Sequence, residues 1–327
     1  MNHCDGTTTE PHPDAARPRA RSGGWRLAAR TDYCVRMSVL IIGGSGTIGL
    51  PIVGALRATG HEVTALARSA RSGDRLRRAG CRVISGDLRE PQAWLADIDP
   101  VEAIIHVGAS WGDDMADAEK ALLDGILDHA ARHAERNGQR IRLVYTGGCW
   151  LYGAVGDQTA VEGSPFDPLP AFAFMVDHRA RLFEAPAIDA CVVHPALVWD
   201  ESGGVIGRFL EEAQRGSAPK VIGSLRTRWP LVHRADLAQL YLLAAVRGAD
   251  GADYHGVDET GVPAGRIASA IAAKFGAPAP VEQPVSQAVA ELGEGAAGFA
   301  LDITMDAPLT RESLGWAPTR PGILDSF

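Results

Sequence analysis

One nine-residue stretch constrains this chain more than any other: Ile41-Ile42-Gly43-Gly44-Ser45-Gly46-Thr47-Ile48-Gly49. An apolar run, Ser38 to Ile42, leads into it, and an apolar-rich segment over residues 50–56 leads out. That order reads as strand, glycine turn, helix. Gly43 permits the tight turn off the strand. Gly46 lacks a Cβ, so backbone can approach a pyrophosphate, and Gly49 lets the helix lie close on the sheet. An anion then sits where the free N–H groups of the helix start point, with Thr47 and Ile48 beside it. The strand before and the helix after make this a dinucleotide-binding turn rather than a loop that happens to hold glycines.

The next unit names the dinucleotide. The second strand, residues 61–67, is followed by Arg68, Ser69 and Arg71. An acidic residue here would bond the ribose 2′-hydroxyl of NAD. A guanidinium and a hydroxyl instead suit a 2′-phosphate, so NADP(H) is expected over NAD(H). A helix over residues 74–79 leads to a third strand, residues 81–85, and then to Gly86-Asp87-Leu88. Asp87 at a strand's carboxyl end can accept from the adenine amino group, and it reads equally as a helix N-cap. A fourth strand, residues 101–107, runs into Val107-Gly108-Ala109, small enough for a cofactor to lie across the sheet edge. Trp111, Asp113 and Asp114 follow as candidate substrate contacts. A long amphipathic helix over residues 115–136 carries Ala116, Leu122, Leu123, Ile126, Leu127 and Ala130 on one stripe and stops at Asn137-Gly138. The fifth strand covers residues 141–145. Strands alternating with helices imply an α/β fold, a Rossmann doubly wound parallel sheet.

Several classes are excluded or disfavoured. The net charge of −8 argues against nucleic acid as a partner. No apolar run approaches the roughly 20 residues that would span a bilayer. The cysteines at 4, 34, 81, 149 and 191 form no C-x-x-C pair, so no metal site is expected and a reducing cytoplasm fits. Residues 1–36 lack apolar periodicity and read as a disordered arm, or as a start preceding the true one at Met37.

The signals in order resemble the short-chain dehydrogenase/reductase superfamily, in its extended, NAD(P)-dependent epimerase/dehydratase-like branch. The matching pieces are the glycine turn, Gly86-Asp87-Leu88, the run from Tyr145 through Thr146, Gly147 and Trp150 to Tyr152-Gly153, and His194-Pro195 through Trp199. Trp229 to Ala238 and Leu314-Gly315-Trp316 complete the set. The resemblance covers residues 38–327. It implies a cofactor domain over 37–200 and, over 201–327, mostly a small C-terminal α/β substrate lobe, with some segments returning to the sheet. It also implies that backbone at His194 and Pro195 lines the nicotinamide, and that a homodimer can form through the helices flanking the fifth strand.

The family's chemistry uses a Tyr-x-x-x-Lys pair plus a Ser or Thr, and this chain departs from it. The residues four after its five tyrosines are Met37, Cys149, Gly156, Ala245 and Asp258, and no Lys lies between Lys120 and Lys220. The usual hydroxyl position is Gly148. The chain therefore looks like an atypical member of that family. Phe174 and His178 hold the Tyr/Lys spacing on the following helix, so His178 is a candidate acid or base. Thr146 and Tyr152 are the other candidates, Trp150 and Trp199 are candidate walls of a substrate pocket, and Cys149 reads as inert. The expected activity is that of an NADP(H)-dependent oxidoreductase or epimerase-like enzyme on a small polar or secondary-metabolite substrate. A non-catalytic NADP-binding regulator and a non-redox isomerase or lyase are its rivals. The stretch over residues 288–300, rich in Ala and Gly, reads as a mobile lid or a loop of the substrate lobe.

Overall fold

The computed structural model describes residues 36–327 apart from positions 97, 111 and 113. The first half alternates strands and helices: β1 (Ser38–Ile42), α1 (Gly49–Ala58), β2 (Glu62–Ala67), α2 (Ala70–Arg78), β3 (Arg82–Ser85), α3 (Gln92–Leu95), β4 (Ala103–His106), α4 (Met115–Asn137), β5 (Ile141–Thr146), α5 (Phe174–Glu184) and β6 (Ile188–Pro195). The second half holds β7 (Leu197–Asp200), β8 (Gly203–Gly204), α6 (Gly207–Gln214), β9 (Lys220–Ile222), β10 (Arg228–His233), α7 (Arg234–Arg247), β11 (Ala252–Gly256), β12 (Glu259–Pro263), α8 (Ala264–Phe275), β13 (Val281–Gln283), α9 (Val285–Leu292), α10 (Pro308–Leu314) and α11 (Ile323–Ser326).

Seven strands form one sheet in the order β11-β6-β5-β4-β1-β2-β3, and every pairing in it is parallel. Parallel strands need crossovers, which cover both faces with helices, so the strands read as unbroken apolar runs. On β1, Val39 and Ile41 join one core, and Leu40 and Ile42 the other. The sheet order reverses between β1 and β4, and a crevice for ligand opens outside the carboxyl ends of those two strands.

Two sequence readings shift. Helix α2 starts earlier than expected, because Ser69 caps it: its Oγ accepts from the Ser72 N–H, and Ser72 returns a bond to the Ser69 backbone. The apolar stripe of α4 begins at Ala118 and Glu119, not at Ala116, which is exposed.

Strands β7, β8, β10 and β12 make a second, four-stranded sheet, and β9 pairs with β13. From this half, α7 packs against α1 and β11 extends the large sheet beside β6. Residues 288–300 are not an open loop. They are the end of α9 and a 3-10 turn, Glu294–Ala300, with Ala288 and Ala296 buried on Ile222. Alanines favour helix and, being small, let the turn close on its neighbours.

Candidate functional site

The glycine turn closes the crevice from below. Gly43 has φ +87°, and a Cβ there would lie 2.4 Å from the Gly108 nitrogen, so the turns after β1 and β4 touch backbone to backbone. A Cβ on Gly49 would lie 2.1 Å from the Gly43 carbonyl oxygen. On Gly46 the nearest atom would be that same oxygen at 3.2 Å, so the Gly46 side stands open. The N–H groups of Thr47 and Ile48 meet no acceptor among the described residues and precede the first turn of α1. This cradle fits a pyrophosphate: its N–H groups are free, and the side of Gly46 where a side chain would stand is open.

At the end of β2 lies a cavity of about 350 Å³ lined by Arg68, Ser69, Arg77 and Asp87. Arg68 forms no ion pair among the described residues. The Ser69 hydroxyl is taken up in capping α2, so the hydroxyl expected to face a phosphate is instead bonded to Ser72. Arg71 does not line the cavity. The second guanidinium is Arg77, which shares a helix face with Ala70 and Gly73. Asp87 is not a helix cap: its Oδ1 accepts from the Arg89 N–H at 3.0 Å and holds a short turn. Leu88 packs against the core beneath α3 and α4 and does not line the cavity after β2. Asp114 is bound by Arg89 at 2.6 Å rather than offered to a substrate, and Trp111 and Asp113 lie outside the described residues.

The cleft proper, about 210 Å³, is lined by Ile48, by Val107, Gly108 and Ala109, by Thr146 through Trp150, and by Pro195 to Val198. Thr146 reaches it, but its hydroxyl is occupied. It donates to the His106 carbonyl at 2.6 Å and receives the Tyr241 hydroxyl at 2.7 Å. His178 does not reach it. Helix α5 turns Phe174 and Met175 to the cleft, while His178 is buried with Nδ1 3.4 Å from the Tyr145 hydroxyl. Burial lowers the His178 pKa, against an opposing pull from the Glu119 charge. Trp199 is also absent from the cleft. It is buried against His233 and Phe327. Cys149 lines the cleft as a thiol that burial pushes up to about 12, which leaves it protonated and unreactive.

Tyr152 and His194 belong to a polar cluster behind the cleft. The His255 Nδ1 donates to the Asp306 carbonyl at 2.8 Å, so its Nε2 accepts the Tyr152 hydroxyl at 2.6 Å. Burial pushes the Tyr152 phenol well up, so it is no proton donor near neutrality. His194 is fully buried with Nε2 3.0 Å from Asp253, and a Cβ on Gly147 would lie 2.3 Å from its Nδ1. Burial works against the Asp253 charge, yet bonds from Arg179 and His194 win and hold it at about 2. Burial, reinforced by the neighbouring His194, pushes His255 down to about 4. The folded state thus keeps His255 neutral where the unfolded chain protonates it. Stability is therefore expected to fall as pH drops from about 6.5 to 4, by up to about 3 kcal/mol, and to be untouched by this residue above pH 7. Urea midpoints of the wild type and His255→Gln between pH 7 and 4.5 check this; the variant should lose that acid limb, and an unchanged limb refutes the assignment.

Sequence reasoning passed over the two titratable side chains that do line the cleft. His106, the last residue of β4, and Glu119, from the second turn of α4, form a pair at 2.7 Å, with side chains 5% and 4% exposed. The His106 Nδ1 has no partner among the described residues. The Tyr145 ring lies 5.7 Å from that of His106 and its hydroxyl 3.4 Å from His178 Nδ1, so the two hydrogen-bonded pairs, His106–Glu119 and Tyr145–His178, pack side by side.

Among the described residues, no group of acidic, His or Cys side chains could hold a metal ion, and no helix is long and apolar enough to cross a membrane.

The profile of the NAD dependent epimerase/dehydratase family matches residues 39–256. An uncharacterized protein of Schizosaccharomyces pombe is 26% identical over 292 residues, 88% of this chain and 97% of that protein. The 2-alkyl-3-oxoalkanoate reductase of Stenotrophomonas maltophilia is 26% identical over 79% of this chain and 76% of the enzyme. A human epimerase family protein solved with NADPH superposes with a TM-score of 0.68 at 21% identity, over 89% of this chain and 97% of that one, a likeness of fold.

Proposed function

This chain belongs to the NAD dependent epimerase/dehydratase family, and from that membership we propose that it is an NADP(H)-dependent reductase whose proton transfer rests on His106 and Glu119. The observation that carries the cofactor choice is the cavity after β2, where Arg68 is unpaired among the described residues and Arg77, bound to Asp74, stands beside it. A 2′-phosphate is recognised by charge-assisted bonds of this kind. The open glycine turn would hold the pyrophosphate, and the backbone at Gly108 and Pro195 the nicotinamide end. Bound there, the nicotinamide supplies or accepts a hydride. The chain's own task is to hold a carbonyl or hydroxyl oxygen over the cleft floor and to move its proton. His106, which lines the cleft, would make that transfer, and Glu119, 2.7 Å from its Nε2, would orient its ring and offset the charge of its protonated form. The reductase name of the Stenotrophomonas relative supports reduction of a carbonyl over a non-redox use of the pocket.

The test is titration with NADPH and with NADH, followed by nicotinamide fluorescence. Arg68→Ala is expected to weaken NADPH roughly 10- to 150-fold, the worth of a hydrogen bond to a charged group, and to leave NADH unchanged. Equal losses for both dinucleotides, or no binding of either by the wild type, would sink the cofactor reading.

A further inference from the structure

Resting on the reductase reading above, the geometry points to an uncharged carbonyl compound bearing one or two aromatic rings as the substrate class, held in a second cavity beside the cleft. That cavity measures about 640 Å³, within the range of small-molecule sites. Met115, Trp150, Phe172 and Phe174 line both spaces, so a molecule filling the cavity reaches the floor where His106 and Glu119 lie.

The walls are aromatic and fixed. The Trp150 ring centroid is 5.4 Å from Phe172 at 43° and 5.1 Å from Phe299 at 85°. The 3-10 turn after α9 presses on the indole: a Cβ on Gly298 would lie 2.5 Å from its ring atoms. Rigid rings in tilted and edge-on contact favour another ring laid among them. Leu292 on the rim is 51% exposed, apolar surface that a bound ring would cover.

Charge argues the same way. Among the described lining residues the sole charged side chain is Glu294, and none is cationic. Two helices begin at the cavity, α4 and α5, but each carries an aspartate in its first turn, Asp117 and Asp177, which offsets its positive end. A phosphate or carboxylate entering here would shed its hydration and meet no cation.

The test is isothermal titration calorimetry of the NADP⁺-saturated protein with two probes, 2-acetylnaphthalene and dTDP-glucose. The ketone is expected to bind and the sugar nucleotide not to. Leu292→Asp, an exposed site where folding is safe, and Phe299→Ala should each weaken the ketone by at least about tenfold while leaving NADP⁺ affinity unchanged. Tighter binding of dTDP-glucose than of the ketone overturns the assignment, as does failure of the ketone to bind the loaded protein. The same titration without dinucleotide separates the two readings. Ketone binding by a protein that takes up no NADP⁺ would overturn the cofactor reading and support the cavity.

Discussion

Glu119→Gln is expected to lower kcat/KM for carbonyl reduction about 10²- to 10³-fold, the usual worth of a positioned acid–base pair, with NADPH affinity unchanged. Glutamine keeps the volume and a hydrogen-bonding oxygen at the same place, so His106 retains a neighbour. What it removes is the negative charge that makes a protonated imidazole tolerable in a site where both side chains are about 5% exposed or less. His106→Phe should fall to a similar level, since a ring of like size fills the space without a proton to give. The double variant should be no worse than the worse single one, because the two act as a unit. A purely structural pair behaves otherwise: thermal stability would drop, by about 1–3 kcal/mol for a polar atom left unpaired, while kcat stayed near its wild-type value. Steady-state kinetics with a thermal melt on each variant distinguishes the two.

Why this pair escaped a reading of the sequence is physical. Glu119 stands on the apolar stripe of α4, three before Leu122 and seven before Ile126, and a carboxylate on a buried stripe is itself a signal. Ala116, a small residue that fits either face, also matches the stripe's spacing and draws its start one turn too early. His106 ends an apolar strand, where a histidine passes as a core residue. His178 failed for the converse reason. Spacing places Phe174 and His178 on one helix face, but the crossing of α5 over the sheet decides which part of that face meets the cleft. Trp199 and Tyr152 were settled by partners far along the chain, Phe327 and His255, which local pattern does not reveal. The glycine turn and the succession of strands and helices up to β5 were legible because each rests on a pattern within one strand–turn–helix unit.

The glycine turn carries the other large effect, and α1 supplies its own control. Gly49 and Gly54 lie in the same helix, where alanine ordinarily gains about 0.5–1 kcal/mol over glycine. At Gly54 an added Cβ meets nothing within 4 Å, so Gly54→Ala should raise the melting temperature. At Gly49 it would lie 2.1 Å from the Gly43 oxygen and 2.6 Å from the Gly44 Cα, both backbone, so no side chain can swing away. The helix must lift or the turn must shift, and overpacking of this kind costs about 1–3 kcal/mol or more, enough to outweigh the gain in propensity. The shift also moves the Thr47 and Ile48 N–H groups off their target. NADPH binding should therefore weaken roughly 10- to 150-fold in Gly49→Ala, the range for a lost bond to a charged group. Differential scanning calorimetry and NADPH titration on the two variants read both effects. If Gly49→Ala melted higher, as Gly54→Ala should, the close approach of α1 to the β1 turn would be wrong. The pyrophosphate site built on that approach would fall with it.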